Sequence, residues 1–241
     1  MKRLLITLLM PLAVCANDHQ LQTLNYHEPS LSFQTAKSGD NWIGTVSGVI
    51  QATEEINISA EIDSEGYLEI GTGYGLMLGN FYTEAFVSYG RADLIDIYDI
   101  YDIYDIYDIY DIYDIYDIYD IYDIGLFGGT AITNNIMVFA NTSHEWRDVS
   151  LSLIDMTDRE WKNTIGTSYS PTEFMNFSYS FSHDRQLTGS KGYYNSQDVT
   201  FTLKPKWVEP YVKYTFGQKR VSPGDVFRSD GSVELGFNLR F

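Results

Sequence analysis

At 241 residues with 44% apolar side chains, the chain is sized for one domain and is greasy enough to fold. A net charge of −17 excludes nucleic acid as a partner, because phosphate contacts need a basic surface. Ten of the aspartates lie in one repeat between Asp96 and Asp123, which leaves −7 for the remainder.

At the N-terminus, Lys2 and Arg3 precede an apolar run from Leu4 to Val14, and Val14-Cys15-Ala16 offers small residues at a cleavage spacing. Residues 1–16 are therefore predicted to be a cleaved secretory signal peptide, too short to cross a bilayer as a helix. Bulky Val14 argues against lipidation of Cys15. Cleavage after Ala16 would remove the one cysteine, and with it any disulfide or thiolate chemistry. Residues 17–52 are expected to be a lead-in, although Leu31 to Ala36 and Trp42 to Ile50 are apolar enough to add a strand each.

From there the chain reads as strands. Ile56, Ile58, Ala60 and Ile62 alternate with Glu55, Asn57, Ser59 and Glu61 ahead of a turn at Asp63. Segments 68–78 and 81–90 flank Gly79-Asn80, a two-residue hairpin signal. Segments 125–132 and 136–142 flank Thr133-Asn134-Asn135, with no clear outward face. A strand near 161–169 turns at Ser170-Pro171-Thr172 into Met175, Phe177, Tyr179 and Phe181, which alternate with Asn176, Ser178, Ser180 and Ser182. Val199, Phe201 and Leu203 lead through Pro205-Lys206-Trp207 to Val208, Pro210, Val212, Tyr214 and Phe216. Finally Val233, Leu235, Phe237, Leu239 and Phe241 alternate with Ser232, Glu234, Gly236, Asn238 and Arg240.

These make about ten strands, with eight to twelve open. Short turns at 79, 133, 170 and 205 alternate with long connections at 96–124, 145–160, 187–195 and 221–231. Short turns at one end and long loops at the other are the habit of membrane barrels, whose strands escape hydropathy because lipid-facing and lumen-facing residues alternate.

Residues 96–122 repeat Asp-Ile-Tyr nine times, followed by Asp123-Ile124. An odd period sends each residue type to both faces of a strand, so no greasy face forms. Aspartates facing lipid would be costly. The repeat is therefore expected to be an external loop rather than a membrane strand. A tolerated low-complexity expansion, a length-variable display segment and a polyacidic site for divalent cations all remain open for it.

Signal peptide, loop alternation and terminal Phe241 together resemble the small outer-membrane β-barrels of Gram-negative bacteria, including OmpA-like transmembrane domains. The resemblance covers roughly residues 53–241. It implies an all-β, transmembrane, antiparallel up-and-down barrel in the outer membrane, contacting outer-membrane lipid and lipopolysaccharide. It also implies that the barrel-assembly machinery reads Val233, Leu235, Phe237, Leu239 and Phe241. It names no substrate, and no peptidoglycan-binding domain accompanies the barrel.

If the apolar positions face lipid, the lumen receives Glu55, Glu61, Glu69, Glu84, Asp198, Lys204, Glu209, Lys213, Glu234 and Arg240. Glu209, Lys213, Glu234 and Arg240, with Lys204 on the strand before, could form a ladder of charges. A tight ladder would plug the lumen. A loose one would line a narrow, cation-preferring channel, because carboxylates outnumber bases. No catalytic set, metal-ligand spacing or cofactor motif appears. Ser182, His183 and Asp184 sit near a rim, but neighbours on a strand point to opposite faces. A non-enzymatic, porin-like or closed barrel is the expectation, with surface display of the repeat as the alternative.

Overall fold

A computed structural model of the protein describes residues 29–38, 41–92, 118–151, 154–189, 191–220 and 229–240. The expected signal peptide, most of the Asp-Ile-Tyr repeat and Phe241 lie outside the described residues. The strands are β1 (Ser30–Ser38), β2 (Asn41–Gln51), β3 (Ile56–Asp63), β4 (Leu68–Leu78), β5 (Phe81–Arg91) and β6 (Ile118–Thr133). They continue as β7 (Ile136–Leu151), β8 (Ile154–Thr172), β9 (Met175–Gln186), β10 (Tyr193–Leu203), β11 (Val208–Gly217) and β12 (Ser232–Arg240). Each pairs antiparallel with its sequence neighbours, and β1 closes on β12 from Ser30↔Arg240 to Ala36↔Glu234. Closure leaves no sheet edge, so every strand finds its backbone partners within the protein.

Twelve strands rather than ten complete the barrel. The extra pair, β1 and β2, comes from the segment expected to lead in. Two other expectations are corrected. Residues 145–160 are not a long loop: β7 runs on to Leu151 and β8 starts at Ile154, so β6, β7 and β8 have 16, 16 and 19 residues against 8–12 elsewhere. The repeat also does not stop at the sheet, because Ile118–Ile124 belong to β6. The odd period has the predicted effect, sending Asp120 and Ile124 outward and Ile121 and Asp123 inward. The outward aspartate is tolerated because Arg91 on β5 grips both its oxygens at 2.8 and 2.9 Å, and the Tyr89 hydroxyl donates at 2.7 Å.

The usual core is inverted. Ile58, Ile70, Leu126, Ile165, Phe177, Val199 and Leu235 are exposed on the outer face, while Glu84, Glu145, Glu160, Glu209 and Glu234 are buried inside. This arrangement is favourable only where the surrounding medium is apolar. On β8, outward Trp161 and Tyr169 bracket Ile165. Their eight-residue separation is about 26 Å along a strand, or about 20 Å along the barrel axis at a tilt of about 40°. That is close to the height of a lipid-facing belt.

One end of the barrel carries the tight connections 52–55, 79–80, 134–135, 173–174 and 204–207, together with Ser30 and Arg240. The other carries the long connections 92–117, 187–192 and 218–231, the short ones 39–40, 64–67 and 152–153, and the extended β6–β8 wall. At the tight end Gly79 adopts φ +67°, which the two-residue turn with Asn80 requires and which a side chain would strain.

Candidate functional site

The inward residues follow from register. Across β11 and β12, Glu209, Tyr211, Lys213 and Thr215 oppose Asn238, Gly236, Glu234 and Ser232. Lys213 forms an ion pair with Glu234, which also accepts from the Tyr211 hydroxyl at 2.9 Å. Arg240 reaches Glu209 at 2.9 Å. Lys204 lies just beyond β10, in the tight-end mouth with Glu209 and Arg240. Glu61, Glu69, Glu84 and Asp198 also face inward, whereas Glu55 stays exposed in the β2–β3 turn. Among the expected assembly residues, Val233, Leu235 and Phe237 point outward and are exposed. Leu239 lies on the same face, and Phe241 is outside the described residues.

A second charge cluster could not be anticipated, because it depends on the extension of β7 and β8. Glu145 accepts Arg147 Nε at 2.6 Å and also pairs with Lys162 on the neighbouring strand. Lys219 reaches Asp198 at 3.5 Å, and Arg220 reaches across β9 and β10 to Glu160 on β8 at 2.9 Å. Arg220 follows β11, so this contact draws the start of the β11–β12 connection over the loop-end mouth. Apart from Arg220–Glu160, these pairs join residues on one strand or on adjacent strands. They lie along the wall and do not span the bore.

The larger side chains are accommodated in a similar way. Gly125 on β6 opposes Phe86 on β5, and a Cβ there would run into the Phe86 ring and come within 2.7 Å of the Ser143 Cβ. Gly166 underlies Phe139 in the same manner on β7 and β8. A glycine on one strand lets the neighbouring ring lie flat against the wall. On the adjoining strands, β8–β10 contribute small hydroxyls: Thr164, Ser178, Ser180, Ser182 and Ser196.

Among the described residues, this wall encloses cavities. One of about 660 Å³ opens at the tight end, beside Ser170, Asn176, Lys204, Lys206, Glu209 and Arg240. A chamber of about 280 Å³ lies on the β3–β8 side, where Glu61, Glu69, Glu84, Asp123 and Glu145 surround a single ammonium, Lys162. The Tyr67 hydroxyl donates to Glu69, and that of Tyr82 to Glu84 at 2.5 Å. In the chamber wall, Oδ1 of Asp123 and Oδ1 of Asn141 are buried without a hydrogen-bond partner. His183 faces outward, with Nδ1 2.7 Å from Asn195 Oδ1, while Ser182 and Asp184 face the lumen. The rim trio is therefore split between two faces.

No family model matches the chain, and no curated protein matches it in sequence. Solved structures do resemble it. NanC porin superposes with a TM-score of 0.64 at 10% identity, covering 88% of this chain and 100% of that one. KdgM porin in complex with disordered oligogalacturonate gives 0.58 at 13%, covering 88% and 99%. An outer-membrane channel from Pseudomonas putida F1 gives 0.55 at 10%, covering 89% and 96%. At such identity the likeness is one of fold. Twelve antiparallel strands closed into a barrel, with charges within and an apolar belt without, make this the fold of a small, porin-like outer-membrane β-barrel.

Proposed function

We propose that the protein is a narrow outer-membrane channel, with its tight-turn end in the periplasm and a lumen that prefers cations. The observation that carries this reading is the chamber in which five carboxylates face one ammonium. Carboxylates fixed in a confined, low-dielectric wall raise the local cation concentration and repel anions. Ion pairs and rings laid along the wall leave room for a hydrated solute. The oligogalacturonate named with KdgM is a carboxylated ligand, and the charge of this chamber argues against carrying it over. Export through the predicted signal peptide, and recognition of outward Val233, Leu235 and Phe237 by the assembly machinery, belong to the same proposal.

The test is single-channel recording of the refolded protein in a planar bilayer under a KCl gradient. Steady steps with a cation-selective reversal potential are expected, and Glu69→Gln combined with Asp123→Asn should shift that potential toward zero. Silence from a barrel shown to be folded by heat-shifted gel mobility would overturn the reading in favour of a closed structural barrel.

A further inference from the structure

The outer face has a polar region on β7–β10 that the channel does not use. At the loop-end margin of the apolar belt, His144, Trp161, Arg185 and Tyr193 stand side by side across β7, β8, β9 and β10. One position higher on the same face, Trp146 opposes Arg159. Trp161, Tyr193, Arg159 and Arg185 are exposed. Immediately below, a hydrogen-bonded band closes the lipid side: Trp161 Nε1 donates to Thr142 at 2.8 Å, Thr142 to Asn163 at 2.9 Å, and His183 meets Asn195 at 2.7 Å.

The two arginines differ from most cations of the barrel wall, although among the described residues exposed Lys37 on β1 also stands without a carboxylate. Arg147, Lys162, Lys213, Lys219, Arg220 and Arg240 are each held by a carboxylate, and outward Arg91 is held by Asp120. Among the described residues, the guanidinium groups of Arg159 and Arg185 have no carboxylate partner. The outward carboxylate above them, Asp148, instead accepts from Thr157 at 2.8 Å. Arg159 and Arg185 are diagonal neighbours on adjacent strands, roughly 7–8 Å apart and somewhat less at their Cβ atoms. Both long side chains can therefore converge on one group. Two like charges this close repel each other unless an anion lies between them.

We propose that this face binds the phosphate of an anionic glycolipid in the outer leaflet. Arg159 and Arg185 grip the phosphate through bidentate guanidinium hydrogen bonds. Trp161, Trp146 and Tyr193 flank the sugar and the first methylenes, where an aromatic ring satisfies both a wet and an apolar neighbour. The level fits, because the arginines lie at and just above Trp161, which marks the top of the belt. A soluble anion would have no use for the flanking aromatics or for a position on the lipid-facing wall. The proposal rests on the outer-membrane orientation given above but not on conduction. A lipid-binding assay on the detergent-solubilised folded barrel therefore fails or succeeds independently of channel recordings.

The experiment is native mass spectrometry of the refolded chain with bisphosphorylated lipid A, its dephosphorylated form and phosphatidylglycerol. One bisphosphorylated lipid A should remain bound, and Arg159→Gln with Arg185→Gln should weaken it by about tenfold or more. Arg91→Gln should leave binding unchanged. Gel mobility confirms that each variant folds. The proposal is overturned by equal retention in the double variant, by equal binding of dephosphorylated lipid A, or by phosphatidylglycerol competing equally. Displacement by millimolar inorganic phosphate would assign the arginines to a soluble anion instead, and would also overturn it.

Discussion

The two faces of one sheet obey opposite rules. On the outer face, Ile58, Ile70, Leu126, Ile165 and Leu235 lie open to their surroundings, and among the described strand residues the outward charges stand toward the loop-end rim. On the inner face, charge is abundant, part of it in ion pairs and part in the acidic chamber, and rings lie over glycines. A soluble sandwich places its apolar side chains between layers and its charges outside. Here the partition between water and hydrocarbon runs through the thickness of a single strand. A residue's fate is therefore decided by whether its position is odd or even.

The most severe way to break this contrast is to place a charge in mid-belt. Ile165 is 63% exposed and lies midway between Trp161 and Tyr169 on β8. Ile165→Lys should cost about 2–4 kcal/mol, as lysine does near a bilayer midplane. Thr164→Lys, one residue away but inward, should cost less than about 1 kcal/mol. Urea midpoints for refolding into lipid vesicles would compare them, and equal costs would refute the assignment of faces. Next comes packing. Gly125→Val should cost about 1–3 kcal/mol by overpacking against Phe86. Phe86→Ala in the same chain should recover much of that loss. No recovery would mean that the ring is not what occupies the space.

The same parity explains which parts of the fold were legible from the sequence. Between the belt's margins a strand must alternate, and β9, β11 and β12 were readable from Phe177, Val212 or Leu235 against their polar neighbours. Inward Ala36, Ile43 and Val49 blur the alternation of β1 and β2, which then look like lead-in. Above the belt both faces are wet. Arg147, Asp148, Asp158 and Arg159 therefore carry no period-two hydropathy, and the tall β7–β8 hairpin resembles a loop. The facing of Lys213 and Glu234 could be inferred, because both strands were visible and short of bulges. The Glu145, Arg147 and Lys162 cluster could not, because it requires the register of strands that the sequence hides. The glycine beneath Phe86 is likewise invisible until Gly125 is known to oppose it.

The smallest effects distinguish a paired cation from an unpaired one. Lys213→Met removes the ammonium from Glu234, whose carboxylate is only 11% exposed and keeps the Tyr211 hydroxyl as its remaining donor. Leaving that carboxylate short of a partner should cost about 1–2 kcal/mol, near the lower part of the range for an unsatisfied buried group, because lumen water partly replaces the lysine. The double variant Lys213→Met with Glu234→Leu should recover part of the loss, since removing both partners leaves no stranded charge. Arg159→Gln with Arg185→Gln removes two charges but strands nothing among the described residues. In detergent free of glycolipid, its urea midpoint should change stability by less than about 0.5 kcal/mol, as surface substitutions do. A loss as large as that of Lys213→Met would show that the outer arginines hold the wall together. They would then be structural cations like those of the lumen, and the difference between the two faces would be one of position and not of partner.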